Sequence, residues 1–124
     1  MKTLDLVLKR KWYDMIASGE KTEEYREIKP YWVQRFCYQT FPSYPVPWVS
    51  MVVTSQNPEY LKQSLKMRTM AFKRFTRVTF HLGYAKDRPS MTFAIKEIVC
   101  DEGKEEWGAL PGETYFVIKL GERL

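Results

Sequence analysis

Cysteine and histidine are scarce in this sequence, which has two cysteines and one histidine among its 124 residues. Cys37 and Cys100 lie far apart, and neither belongs to a Cys-x-x-Cys pair or has a histidine at ligand spacing. Structural zinc sites and disulfide frameworks both need such clusters, so we predict neither of them. This cysteine usage favours the reducing cytoplasm as the location of the protein.

Long apolar runs and glycine clusters are also missing. No apolar stretch approaches the roughly 20 residues that a membrane-spanning helix needs, so we expect no membrane partner. The first ten residues carry Asp5 within an apolar alternation and contain no small-residue cleavage site, which argues against a signal peptide. The six glycines are dispersed and form no phosphate-binding loop, and we predict no cofactor.

The overall composition is that of an ordinary globular protein, with 44% hydrophobic and 28% charged residues. A chain of 124 residues can bury one continuous core, so we predict a single domain over residues 1–124. The net charge of +5 permits association with phosphate-bearing partners, but a net charge does not define a site.

Hydrophobic periodicity predicts strands and helices at both ends of the chain. Alternation predicts a first strand over residues 4–9, and apolar residues at helical spacing predict a helix over residues 10–18 that ends at Gly19. Pro30 is suited to the first turn of a second helix over residues 30–36. Asn57, as a helix cap, predicts a third helix that reaches about Lys66.

The rest of the chain gives strand and loop signals. Three prolines predict an extended aromatic loop over residues 41–48, followed by a short apolar strand over residues 49–54. Two further segments, residues 78–84 and 91–99, predict a β-hairpin. A polar excursion over residues 100–106 then precedes a central final strand over residues 114–120.

The most unusual stretch is the charged segment 18–27, which follows the first helix. Strand alternation places Glu24 and Arg26 on one face and Tyr25 on the other, and neither face resembles a core face. Charged side chains are rarely buried unless they are paired or functional. Two interpretations remain open: an edge strand whose charges discourage aggregation, or a polar cleft in which Lys21, Glu24 and Arg26 meet a ligand.

This segment has a recognisable pattern, Gly-x-Lys-x-x-Glu-x-Arg, formed by Gly19, Lys21, Glu24 and Arg26. The pattern resembles the signature of ASCH domains in the PUA-like superfamily. Residues 6–9, 12–16, 107–108 and 115–118 resemble the opening and closing elements of that family. The resemblance implies an α+β fold, a small PUA-like mixed β-barrel of five or six strands with two or three peripheral helices. It also implies that Lys21, placed in the turn, swings toward the face of Glu24 and Arg26.

The resemblance implies two kinds of function. ASCH relatives include domains thought to bind RNA and a small branch that hydrolyses the acetyl amide of N4-acetylcytidine with a lysine, a threonine and a glutamate. Lys21 matches that lysine, whereas Glu24 stands where the threonine would be. The downstream glutamate has only Glu105 and Glu106 as nearby candidates. We therefore favour binding, with Lys21 and Glu24 as catalytic residues only if the protein is an enzyme.

Basic residues accumulate between residues 62 and 77, where acidic residues are absent. They alternate with methionines and phenylalanines, a pattern typical either of a nucleic-acid-binding face or of an amphipathic segment with a solvated cationic side. Both interpretations remain open. We use the name basic group for the five residues predicted to contact nucleic acid: Lys62, Lys66, Arg68, Lys73 and Arg74.

The sequence as a whole predicts a domain that binds RNA or a modified nucleoside. The expected ligand-binding residues are Lys21, Glu24, Tyr25, Arg26 and Tyr31, with the two cations donating to phosphate or a base carbonyl and Glu24 accepting from a base amino group. The acids around Lys21 are expected to favour its charged form, which argues against a nucleophilic lysine. The alternatives are an amidohydrolase acting on N4-acylated cytidine or a similar small amide, and a protein-interaction module using the aromatic loop.

Overall fold

The computed structural model describes residues 2–40 and 58–124, and its first elements form where the hydrophobic pattern predicts them. Strand β1 spans Lys2–Leu8 and helix α1 spans Arg10–Ala17. The three leucines of β1 are buried, whereas Asp5 between them is exposed, so the strand presents one face to the core. Helix α1 buries Ile16 in the same core.

The remaining elements follow in chain order. Helices α2 and α3 span Pro30–Phe36 and Pro58–Lys66, and a 3-10 helix spans Glu105–Trp107. The strands are β2 Glu23–Glu27, β3 Cys37–Gln39, β4 Met70–Phe72, β5 Phe75–Leu82, β6 Ser90–Glu102 and β7 Thr114–Arg123.

Five of the strands form one sheet in the order β1-β5-β6-β7-β2, which curls into a half-barrel. Strand β1 pairs in parallel with β5, and the other neighbours are antiparallel. Strands β3 and β4 form a separate two-stranded antiparallel sheet. The α+β class and the mixed, curled sheet with peripheral helices are therefore confirmed. The order leaves β1 and β2 as the two edges of the curled sheet.

The core packs between the large sheet and the helices, and aromatic side chains form much of it. Phe36 of α2 packs against Phe116 of β7 with ring centroids 5.0 Å apart. Phe80 of β5 and Phe93 of β6 lie 6.1 Å apart at the other side of the sheet. Burial of these rings removes a large apolar area from water and fixes the curl of the sheet against α2.

Two predicted boundaries are wrong, and one sheet was not predicted. Strand β6 continues through Glu102 because residues 100–102 pair with β7, and this pairing overrides their polar composition. Strand β7 likewise runs on to Arg123. The β3-β4 sheet had no clear signal, since each strand has only three residues. The aromatic loop 41–48, the strand 49–54 and the Asn57 cap lie outside the described residues.

The helices in the described parts of the chain are short. None of them is long and apolar enough to cross a membrane.

Candidate ligand-binding site

The turn after α1 directs the Lys21 side chain into the protein. Gly19 has a φ of +86°, a left-handed conformation that glycine adopts without strain, and the Lys21 amide then donates to the Met15 carbonyl at 3.0 Å. Lys21 therefore precedes β2 and does not share its alternation. This placement lets the side chain reach the Glu24 side, as the resemblance implied.

The Lys21 ammonium group is held by four partners, although the side chain is almost completely inaccessible, with a relative exposure of 1%. Its Nζ donates to Glu24 Oε1 at 2.8 Å and to the Trp107 carbonyl at 2.9 Å. The same Nζ lies 4.8 Å from the Tyr25 ring centroid and 5.1 Å from that of Trp12. Charged hydrogen bonds and aromatic faces together compensate for the loss of hydration.

The Glu24 carboxylate connects the two cations. Its Oε1 accepts from Lys21 and also from the backbone amide of Tyr25 at 3.1 Å. Its Oε2 accepts from Arg26 Nη1 at 2.7 Å, a charge-assisted bond. Three contacts occupy a group that can accept about four hydrogen bonds, so the carboxylate keeps roughly one acceptor position for another donor.

Arg26 joins the two edges of the half-barrel. Its Nη1 also donates to the Tyr25 carbonyl at 2.8 Å on β2, and its Nη2 donates to the Val7 carbonyl at 3.1 Å on β1. The guanidinium lies 5.2 Å from the Trp32 ring centroid. These bonds use three of the five guanidinium N–H donors, so two remain for a ligand.

A cavity of about 800 Å³ opens where these two edges face each other. Glu24 and Arg26 line it, whereas Lys21 lies behind its wall. Formal charges in the lining balance, with three acids and three bases: Asp5, Glu24, Glu27, Lys9, Arg26 and Lys29. The rest of the wall is rich in aromatic rings: Trp12, Tyr25, Tyr31, Trp32, Tyr84, Trp107 and Tyr115.

Tyr25 supports this wall through its hydroxyl group, which donates to Glu23 Oε1 at 2.9 Å and accepts from the Lys104 amide at 3.0 Å. Burial raises the pKa of the Tyr25 hydroxyl above its ordinary value. A Cβ at Gly103 would come within 2.7 Å of the Tyr25 ring, so only glycine permits this approach. The strand end of β6 therefore fixes the ring next to Lys21.

The protonation of Lys21 differs from the sequence-based expectation. Burial lowers the pKa of Lys21 below its ordinary value, and this effect outweighs the opposing attraction of Glu24. The argument that neighbouring acids favour the charged form is therefore wrong in its direction. Sequence alone shows the acids but not the depth at which the ammonium group is buried.

The structure brings some predicted residues together and leaves others apart. Lys21, Glu24 and Arg26 form one connected network, and Tyr25 and Tyr31 line the adjoining cavity. The basic group takes no part in that lining. Within it, Lys62 pairs with Glu59 at 3.4 Å and Lys73 donates to the Gln34 carbonyl at 2.7 Å.

Several residues of the site were missed by sequence reasoning. Trp12 was expected to be a core anchor, yet it lines the cavity and faces the Lys21 ammonium. Trp107 contributes a backbone carbonyl from 86 residues away, and Val7 contributes another carbonyl, so neither gives a side-chain signal. Glu105 and Glu106, the candidates for a third acid, are exposed in the 3-10 helix.

Residues 2–40 and 58–124 contain no group of three or more histidine, cysteine or acidic side chains that could hold a metal ion. In comparisons with known protein families, curated proteins and solved structures, nothing matches the chain.

Proposed function

We propose that the protein binds a nucleoside-like molecule whose base enters the cavity between β1 and β2. The observation that carries this proposal is the Glu24–Arg26 pair, a carboxylate acceptor and a guanidinium donor held 2.7 Å apart in an aromatic cavity wall. A nucleobase presents amino and carbonyl groups side by side, together with a flat face. A wall with one acceptor, adjacent donors and rings complements all three features.

The charges favour a neutral base over a bare phosphate as the group inside the cavity. Acids and bases balance in the lining, and the acceptor position of Glu24 would repel a phosphate oxygen. Lys21, which the sequence suggested as a phosphate donor, is screened by the wall and already bonded to Glu24 and Trp107. Its role in binding is to hold the carboxylate in place.

The network resembles the charged signature of ASCH domains, and we propose that the chain is a member of that family. What supports this is that the three signature residues Lys21, Glu24 and Arg26 are in mutual contact on a curled mixed sheet. An RNA strand is a second source of such a base, and the basic group is the part of the protein that would then contact its backbone.

Binding is tested by calorimetry and thermal shift with the common nucleosides and N4-acetylcytidine. We expect Glu24→Gln and Arg26→Lys each to weaken the best ligand by about 10- to 150-fold, the range for a lost hydrogen bond to a charged group. Glu97→Gln and Arg10→Lys are matched controls, because both residues form exposed ion pairs away from the cavity lining. Equal weakening by the controls, or no nucleoside binding, would refute the proposal.

A second candidate is the amidohydrolase, favoured by one observation. The lowered pKa of Lys21 makes a neutral amine more accessible than in an ordinary lysine. Against it, the amine is buried behind the cavity wall and donates to two acceptors. Incubation with N4-acetylcytidine distinguishes the candidates: deacylation abolished by Lys21→Ala but retained in Arg26→Ala would establish the enzyme.

A further inference from the structure

Two tyrosines at the cavity have rings that the fold leaves in solvent. Tyr84 has a relative exposure of 85% and Tyr31 one of 65%, yet both line the cavity that contains Glu24 and Arg26. Exposed aromatic rings gain nothing for stability from this position, since they bury little area. Large exposed apolar groups that border a binding site commonly mark an interaction surface.

The backbone that carries Tyr84 is fixed although its ring is exposed. Gly83 has a φ of +70°, and its amide donates to the Leu8 carbonyl at 3.3 Å. The Gly83 carbonyl accepts from Arg88 Nη1 at 3.2 Å. The turn between β5 and β6 is thus attached to the end of β1, and it projects Tyr84 beside the cavity.

Tyr31 is positioned from the other side of the cavity by helix α2. Its ring meets the Trp32 ring edge-on with centroids 4.7 Å apart, and Trp32 in turn stacks on Phe36 of the core at 5.6 Å. Trp32 also contacts the Arg26 guanidinium. Tyr31 is therefore connected through packed rings to both the core and the proposed binding site.

We infer that Tyr31 and Tyr84 form an aromatic clamp for a second planar ring, which is attached to the bound base and projects from the cavity. The inference rests on the proposed function and narrows its ligand: the base carries a further aromatic group outside the cavity. That group has two potential sources, a neighbouring base of a nucleic-acid strand or an aromatic substituent on the nucleoside itself. Each stacks by its flat face, which any base or aryl ring presents.

The test compares minimal and extended probes on the intact chain by calorimetry. The minimal probes are cytidine, uridine, adenosine and guanosine. The extended probes are the same nucleosides linked to a 3′ adenosine, together with N4-benzoylcytidine. We expect at least one extended probe to bind more tightly than its parent nucleoside, and Tyr84→Ala to weaken that probe by roughly 5- to 150-fold, the range for loss of one stacked base.

The variants separate stacking from general damage. Tyr31→Ala is expected to act in the same direction, whereas Tyr84→Phe and Tyr31→Phe keep the ring and should retain the affinity. Tyr38→Ala and Tyr60→Ala are matched controls, since both tyrosines are exposed and neither lines the cavity. Thermal melts should coincide with wild type for Tyr84→Ala, because its ring is in solvent.

The outcomes assign the result to one proposal or the other. A gain for the dinucleotides identifies a neighbouring base, and a gain for the benzoyl probe identifies an aryl substituent. If nucleosides bind but extension adds nothing, or if the alanine variants weaken minimal and extended probes equally, the clamp is refuted while the proposed function stands. If no probe binds, both are refuted.

Discussion

Replacement of Lys21 by methionine tests whether the buried ammonium group organises the site. Met has a similar length but no donor, so Glu24 Oε1 and the Trp107 carbonyl each lose a partner at 2.8 and 2.9 Å. Removal of one member of a buried ion pair typically costs about 3–5 kcal/mol of unfolding free energy. Glu24 keeps Arg26 at 2.7 Å, so we expect a loss near the lower limit, about 3 kcal/mol.

The pH dependence of this loss follows from the pKa of Lys21. Burial lowers this pKa in the folded state, so between the folded pKa and the ordinary value of about 10.4 the unfolded state binds more protons. The unfolding free energy contributed by Lys21 therefore rises with pH across this window. The methionine variant has no such group, so the stability difference between wild type and Lys21→Met should widen toward alkaline pH.

Urea denaturation of both proteins at several values between about pH 7 and 10.5 measures this difference. In thermal melts the loss of about 3 kcal/mol corresponds to roughly 12 °C. The matched control is Lys119→Met, because Lys119 pairs with Glu97 at 3.4 Å while remaining partly exposed, and such pairs contribute about 1 kcal/mol or less. Equal losses for Lys21→Met and Lys119→Met, or a difference that does not change with pH, would refute the reasoning.

Three other predictions concern Tyr25, the cysteines and the basic group. Tyr25→Phe should cost about 1–3 kcal/mol because the Glu23 carboxylate and the Lys104 amide lose their partner, and, since burial raises the Tyr25 pKa, only wild type should lose this contribution above pH 10 in the same denaturation assay. Burial raises the pKa of both Cys37 and Cys100 to about 12, so Ellman's reagent at pH 8 should label the native protein far more slowly than the urea-unfolded protein; equal rates would contradict the burial. Alanine at all five positions of the basic group should flatten the salt dependence of single-stranded RNA binding by at most about one unit of slope for each cation removed from a phosphate, and an unchanged slope would assign the group to structure.

Local signals in the sequence were sufficient for the elements that deliver the site. Gly19 marks the helix end because a positive φ is a local requirement, and Pro30 marks the start of α2 for a similar reason. The contact between Glu24 and Arg26 follows from strand alternation alone. These features depend on residues a few positions apart, so periodicity and turn chemistry capture them.

The parts that could not be predicted depend on distant backbone atoms and on burial. The Trp107 carbonyl reaches Lys21 across 86 residues, and no residue type identifies a backbone acceptor. The direction of the Lys21 pKa depends on whether desolvation or the attraction of Glu24 is larger, and the sequence reveals only the latter. Strand β6 was predicted too short for the same reason, since its last residues are held by pairing with β7.

The two interpretations of the charged strand, an edge and a cleft, are compatible because β2 is both. An edge strand exposes backbone amides and carbonyls that need partners. Here the Tyr25 amide is bonded by the Glu24 carboxylate, and the Tyr25 and Val7 carbonyls are bonded by Arg26. The same bonds that protect the two edges fix the carboxylate and the guanidinium against rotation. A ligand then meets groups that are already oriented, so little of its binding energy is spent on ordering them.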